Sequence, residues 1–100
     1  MSRMTHILIF GISIFLATSK AFAIDTSAYD QCMLQVLRTS RSEAATHLMQ
    51  RSCYALYQNG PLLLPREQAY HSCILQSLPW VKEPSAIVQI VSICSRQRQM

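Results

Sequence analysis

Glycine is scarce in this sequence, with 2 among 100 residues. Loops that cradle phosphate groups need several closely spaced glycines, and neither G-x-x-x-x-G-K-[ST] nor G-x-G-x-x-G is present. The H-E-x-x-H motif of metallopeptidases and the G-x-S-x-G motif of hydrolases are missing too. The common sequence patterns of nucleotide binding and hydrolysis are therefore absent, and we predict that the protein is not an enzyme and uses no cofactor.

Charged residues are also few, at 14% of the chain. Beyond residue 23 the chain has seven basic and five acidic residues, and only the segment SRQRQ at 95–99 brings basic side chains close together. Proteins that bind nucleic acid usually carry a larger basic patch. The charge pattern therefore predicts no nucleic-acid partner.

No apolar run reaches the roughly 20 residues that a membrane-spanning helix needs. The longest, Ile7 to Ala17, follows Arg3 and precedes Ala21-Phe22-Ala23. A basic start, a short apolar stretch and a small-x-small site are typical of a secretory signal peptide. We predict that residues 1–23 are this signal, cleaved after Ala23, and that residues 24–100 form a single domain in the periplasm or outside the cell.

The chain has four cysteines, and no two of them lie closer than 20 residues in sequence. This spacing excludes the C-x₂₋₄-C pairs of structural zinc sites, the C-x-x-C redox motif and the C-x-x-C-H haem motif. Even numbers of cysteines in exported chains usually form disulfides. We therefore predict no metal site and two structural disulfides among Cys32, Cys53, Cys73 and Cys94.

The sequence YDQCMLQVL at 29–37 returns as YHSCILQSL at 70–78, an offset of 41 residues. In both copies apolar residues recur at i, i+3, i+4 and i+8, and position i+7 is valine in the first copy and serine in the second. This is the spacing of one helix face. Leu37 lies on this stripe, and the repeated residues Leu34 and Leu75 are also predicted to be core residues. The two repeats, 29–57 and 70–97, thus predict two helical hairpins in a small all-α, four-helix domain that is closed, because two copies are too few for an open stack.

Turn signals divide each repeat into two helices. Ser40 and Glu43 form a predicted capping box at the start of the second helix, where each side chain satisfies a backbone N–H. In the second copy Pro79 ends one helix and Glu83-Pro84 begins the next. A strand is the alternative for residues 86–93, which are rich in isoleucine and valine, but their alignment with 45–52 favours a helix.

Four cysteines allow three pairings, and repeat symmetry is compatible with all of them. Short connections between neighbouring helices favour Cys32–Cys53 and Cys73–Cys94, one disulfide in each hairpin. The alternative is the nested pattern, Cys32–Cys94 with Cys53–Cys73.

Large apolar side chains also occur where turns are predicted. Turn segments usually lie at the surface, and exposed apolar clusters mark contact sites. The linker leucines and the tryptophan either cover the core or contact a partner, and as candidate contact residues we take Leu62, Leu63, Leu64 and Trp80. The histidines suggest no catalytic pair, because His71 and Cys73 are two residues apart and point in different directions on a helix.

The pattern Y-x-x-C-x-L-Q-x-L, a turn and then A-x₇-C resembles the hairpin units of small exported four-cysteine proteins of Gram-negative bacteria. Many of these are encoded near mobile DNA, and they include host-killing proteins of conjugative plasmids. The resemblance covers most of residues 24–100 and rests on cysteine and helix-core positions. It implies a shared scaffold and transfers no catalytic residue.

These observations predict an exported interaction protein of the bacterial envelope with a protein partner, possible membrane contact and an association with a conjugative plasmid. One alternative is a small toxic protein that perturbs membranes or kills host cells. Another is an inhibitor of an exported hydrolase, for which the sequence offers no reactive loop.

Overall fold

A computed structural model describes residues 26–99, which form four α-helices, one short 3₁₀ turn and no strand. We label the helices α1 to α4, and the 3₁₀ turn Gly60–Leu62 lies between α2 and α3. The predicted signal peptide lies outside the described residues. The helices are α1 (Ser27–Thr39), α2 (Glu43–Gln58), α3 (Pro65–Ser77) and α4 (Pro84–Gln99).

Each hairpin carries one disulfide, as the short-connection rule predicts. Cys32 on α1 is bonded to Cys53 on α2, and Cys73 on α3 is bonded to Cys94 on α4. The joined Cα atoms lie 5.7 and 5.5 Å apart, within the range that disulfides span. The pairing within hairpins is confirmed, and the nested alternative is excluded.

Local signals explain where the helices begin and end. Pro65 and Pro84 occupy the first position of α3 and α4, where the missing N–H costs nothing. α3 ends two residues before Pro79, which cannot continue a helix. Residues 86–93 lie within α4, so the helix predicted from the repeat alignment is correct and the strand alternative is not.

The α2 cap differs from the predicted one. Ser42 is the N-cap residue, and its Oγ accepts a hydrogen bond from the backbone N–H of Ala45 at 3.1 Å. Ser40 instead donates from Oγ to the carbonyl oxygen of Ser42 and contacts the Thr46 hydroxyl. The predicted box between Ser40 and Glu43 is therefore wrong by two residues, because helix α2 begins later than that box requires.

One core joins the two hairpins. Its buried apolar residues come from all four helices, with the cysteines of α2 and α4 among them: Val36, Ala45, Met49, Cys53, Ile74, Leu78, Ile87 and Cys94. A single contiguous core is what defines one domain. The predicted four-helix, disulfide-stapled fold is thus confirmed.

Helix packing follows chain order, not a closed ring. α1 packs on α2, α2 on α3 and α3 on α4, with a smaller contact between α2 and α4. Among the described residues α1 and α4 share no comparable interface. The closed arrangement expected from two repeats is therefore not formed, because α2 and α3 meet each other and leave α1 and α4 at opposite edges.

The row-like packing also changes which repeated leucines are buried. Leu78 is fully buried, whereas Leu37, at the same repeat position, is 60% exposed. Leu34 is 44% exposed, and its counterpart Leu75 packs against the core while half-buried. The prediction that Leu37 and Leu34 belong to the core is wrong, since α1 packs mainly on one neighbouring helix and α3 packs on two.

Candidate functional site

Trp80 lies in the connection between α3 and α4, with 61% of its surface exposed. Its backbone N–H donates a hydrogen bond to the carbonyl oxygen of Thr39, at the end of α1, over 2.9 Å. The guanidinium of Arg41 lies 4.5 Å from the centre of the indole ring, within the range of a cation–π contact. Both hairpin turns therefore hold this aromatic side chain at the surface.

The backbone of Trp80 adopts φ 69°, in the left-handed region. No other non-glycine residue among 26–99 has a positive φ. This conformation costs a bulky residue about 1–3 kcal/mol and persists only where surrounding contacts impose it. Here the hydrogen bond to Thr39 supplies one such contact, so the position of the indole is determined by tertiary structure.

The three leucines lie in the connection between α2 and α3. Leu62 is 83% exposed and Leu64 is also exposed, whereas Leu63 is half-buried and donates its backbone N–H to the carbonyl oxygen of Gly60. The side chain of Leu64 lines a shallow hollow with Pro65 and Arg66. Leu62 and Leu64 are thus surface residues, and Leu63 is half-buried without belonging to the core cluster.

The four candidate contact residues do not form one surface. Leu64 precedes the first residue of α3, and Trp80 follows its last turn. A helix of 13 residues is about 20 Å long at 1.5 Å per residue. The structure therefore places two separate surfaces at the two ends of α3. We call them the Trp80 end, formed by Trp80 and Arg41, and the leucine end, formed by Leu62, Leu63 and Leu64.

A hollow of about 490 Å³ lies between α2, α3 and the end of α4. We call it the polar groove. Its floor contains Ser52, which is buried, and its mouth contains Arg51 and Tyr54, which are exposed. The residues that line it are Leu48, Arg51, Ser52, Tyr54, Tyr70, His71 and Arg98.

Ser52 and His71 connect the two hairpins at the floor of the polar groove. The distance from Ser52 Oγ to His71 Nδ1 is 3.0 Å, a hydrogen bond between α2 and α3. The His71 ring also meets the Tyr70 ring edge-to-face, with centroids 4.9 Å apart. This pair satisfies a serine that has almost no contact with water, so it contributes to the hairpin interface.

Burial lowers the pKa of His71 below the ordinary histidine value, and the nearby positive charge of Arg98 lowers it further. The negative charge of Glu67 acts in the opposite direction but is the smaller influence. His71 is therefore neutral at pH 7.

Arg98 is held in place by two side chains of α3. Its guanidinium carbon lies 3.8 Å from the centre of the Tyr70 ring, and its Nε lies 3.1 Å from Oε2 of Glu67. The Nε atom is buried, and its geometry toward Glu67 is that of an ion pair without an aligned hydrogen bond. Stacking and charge together orient the guanidinium at the edge of the polar groove.

Sequence reasoning missed the polar groove. The sequence pattern relates His71 only to neighbours in its own helix, such as Cys73, and does not pair it with Ser52. Their contact spans 19 residues and depends on how the two hairpins pack. One signal was available: six of the seven lining positions carry a different residue in the other copy of the repeat, the exception being Tyr70, which matches Tyr29.

A second hollow, of about 480 Å³, lies between α1 and α3 over α2. Val36, Met49 and Leu75 contribute apolar surface to it, and no ionisable side chain except that of Tyr57 lines it.

In the described part of the chain no helix is long and apolar enough to cross a membrane. The same residues contain no group of three histidine, cysteine or acidic side chains arranged to hold a metal ion.

Comparison with protein-family models gives a match over most of the chain. The family model described as "Four-cysteine protein VF_A0006-like" matches residues 11–98. No curated protein and no solved structure matches the chain.

Proposed function

The chain belongs to the four-cysteine protein VF_A0006-like family, and we propose that it is an exported interaction protein that binds a protein partner in the bacterial envelope. The observation that carries this proposal is the exposed indole of Trp80, which is held in a strained backbone conformation by contacts from another hairpin. No chemical step is part of the proposed role.

The compartment follows from the disulfides. Both pairs of cysteines are bonded, and such bonds persist in oxidising surroundings such as the periplasm or the cell exterior. A signal peptide at residues 1–23 would supply the route of export. We therefore place the site of action outside the cytoplasm.

The binding role rests on the physical character of the Trp80 end. Tryptophan and arginine are enriched among the residues that dominate binding energy at protein interfaces. Thr39 holds the Trp80 backbone and Arg41 contacts its ring before any partner arrives. This arrangement lowers the entropy cost of association. Strained conformations at exposed positions also concentrate at functional sites.

Site-specific photo-crosslinking in cells tests this role. A photoreactive phenylalanine analogue replaces Trp80 in one strain and Gln89, an exposed residue of α4, in a control strain. We expect a discrete higher-mass adduct from position 80 and none from position 89. Adducts of equal pattern from both positions, or none from either, would remove the Trp80 end as a binding surface.

A second candidate function, membrane perturbation by a small toxic protein, is favoured by the leucine end. Leu62 and Leu64 are exposed, and Leu64 lines a hollow together with Arg66. Apolar residues near a basic one suit an anionic bilayer surface. The resemblance to host-killing proteins of conjugative plasmids points the same way and is the basis for a plasmid association.

Dye release from vesicles that contain phosphatidylglycerol tests this candidate. If it is correct, the native protein releases dye and the double variant Leu62→Ser/Leu64→Ser does not. Leu37→Ser, which changes an exposed leucine on α1, serves as the matched control and should retain the activity. Absence of release by the native protein would dismiss membrane perturbation and leave the interaction role standing.

A further inference from the structure

Two arginines from different helices line the polar groove. Arg51 extends from α2 and Arg98 from α4, and both line the same hollow. Among residues 26–99, Glu67 has the only carboxylate within 4 Å of the Arg98 guanidinium, and no carboxylate lies that close to Arg51. His71 is neutral there at pH 7, so the side chains in and beside the groove leave a net positive charge.

The remaining walls are apolar. Leu48 and Tyr54 line the groove on α2, and the Tyr70 ring lines it on α3. A volume of about 490 Å³ lies in the range of small-molecule sites, which combine apolar walls with a few oriented polar groups. The groove can therefore take an apolar body as well as an anionic group.

From these observations we propose that the polar groove binds a carboxylate attached to an apolar, ring-sized body, with Arg51 and Arg98 on the carboxylate and the Tyr54 and Tyr70 rings on the body. The planar fork of a guanidinium matches the two oxygens of a carboxylate. This site is separate from the Trp80 end and goes beyond the proposed interaction role.

Arg98 is prepared for this contact before the ligand arrives. Its stacking on Tyr70 and its ion pair with Glu67 restrict the side chain, so less rotamer freedom is lost on binding. Glu67 occupies the Nε edge, which leaves the two terminal nitrogens of the guanidinium as donors. Arg51, exposed at the mouth, adds the second positive charge.

Most of the residues that form the groove are not repeated in the other copy of the sequence. The repeat counterparts of Arg51 and Arg98 are Ser92 and Tyr57, and the counterparts of Ser52 and His71 are Ile93 and Asp30. The repeated hairpin therefore forms without an arginine at either position. Ser52 and His71 contribute to the contact between the hairpins, whereas Arg51 and Arg98 are available for a separate role.

The test titrates the purified, oxidised protein with two probes and follows ¹H–¹⁵N NMR spectra. The first probe is N-acetyl-phenylalanine, which carries a carboxylate on a ring-bearing body, and the second is N-acetyl-phenylalaninamide, its neutral match. We expect saturable shifts at the amides of Ser52 and His71 and at Arg98 Nε–H with the acid. The amide should bind about tenfold more weakly, since it cannot form the charge-assisted bonds.

Two single variants test whether the positive charge of Arg51 contributes to binding of the carboxylate. Arg51→Gln should weaken binding of the acid about tenfold, the loss expected for a charge-assisted hydrogen bond. Arg96→Gln removes the same charge from an exposed position of α4 outside the groove and should leave the affinity within about twofold. Equal weakening by both variants would show a general charge effect and overturn the site.

The same titration identifies the source of the carboxylate. A tetrapeptide that ends in phenylalanine is compared with N-acetyl-phenylalanine: equal binding assigns the groove to a peptide C-terminus, and binding of the single amino acid alone assigns it to a free small molecule. Equal affinity for the acid and the amide, or absence of shifts at the groove with the acid, would overturn the proposal.

Discussion

The backbone N–H of Trp80 donates to the carbonyl oxygen of Thr39 across 2.9 Å, and these two residues occupy the same position in the two copies of the repeat. Thr39 is the last residue of α1, but Trp80 lies beyond the end of α3, because Pro79 terminates that helix early. Because α3 ends early, the N–H of Trp80 is not used within a helix. It bonds instead to Thr39 and so links the turn of the second hairpin to that of the first.

Substitutions at Trp80 should separate the role of its backbone from that of its ring. Trp80→Gly removes the Arg41 contact but also the left-handed strain, so the free energy of unfolding should change by less than about 1 kcal/mol. Trp80→Pro should cost more than about 2 kcal/mol, because proline lacks the N–H and has a negative φ. Urea denaturation measures both, and equal stability of the two variants would contradict the role of the Thr39 hydrogen bond.

Leu37 and Leu78 form a matched pair at one repeat position. Leu78→Ala should lower the free energy of unfolding by about 2–5 kcal/mol, because it opens a cavity in the core. Leu37→Ala, on the exposed side of α1, should stay within about 0.5 kcal/mol. Thermal melting of the two variants decides the comparison, and a similar loss in both would mean that α1 buries this leucine as deeply as α3 does.

The free energy of unfolding should decrease as the pH falls, because of the titration of His71. Because its pKa is lower in the folded protein than the ordinary value of 6.5, the unfolded chain takes up a proton first as the pH decreases. The contribution of His71 is fully present above pH 6.5 and is lost progressively below it. Urea midpoints between pH 7.5 and 5 should therefore decline.

The variant His71→Gln should reduce this decline, because the titrating ring is gone. His47→Gln, which changes an exposed histidine paired with Glu43 on the same helix, is the matched control and should keep it. A decline of the same size in wild type and His71→Gln would assign the pH dependence to other groups.

Export should leave a defined N-terminus. Protein recovered from the periplasmic fraction is predicted to begin at Ile24, since Ala21 and Ala23 supply the small residues that signal peptidase requires. Ala23→Arg should make the precursor accumulate. N-terminal sequencing checks both, and an exported protein that retains Met1 would contradict the cleavage.

Local sequence patterns determined the helices, the turns and the disulfide pairing of this protein. The apolar period marks the helices at residues 29–37 and 70–78, and Pro79 and Pro84 mark where one helix ends and the next begins. The disulfides close short connections between consecutive helices. Helix ends depend on near neighbours in the chain, and each disulfide joins two consecutive helices, which is why both were predictable.

Tertiary structure alone decided which equivalent positions are buried and which side chains meet. Burial of Leu78 but not Leu37, and the 3.0 Å contact from Ser52 to His71, follow from the packing of α2 against α3. That interface sets the rotation of one hairpin relative to the other, and two copies with the same apolar period do not specify it. The same rotation brings Arg51 and Arg98 to one groove, while the length of α3 separates Trp80 from the linker leucines.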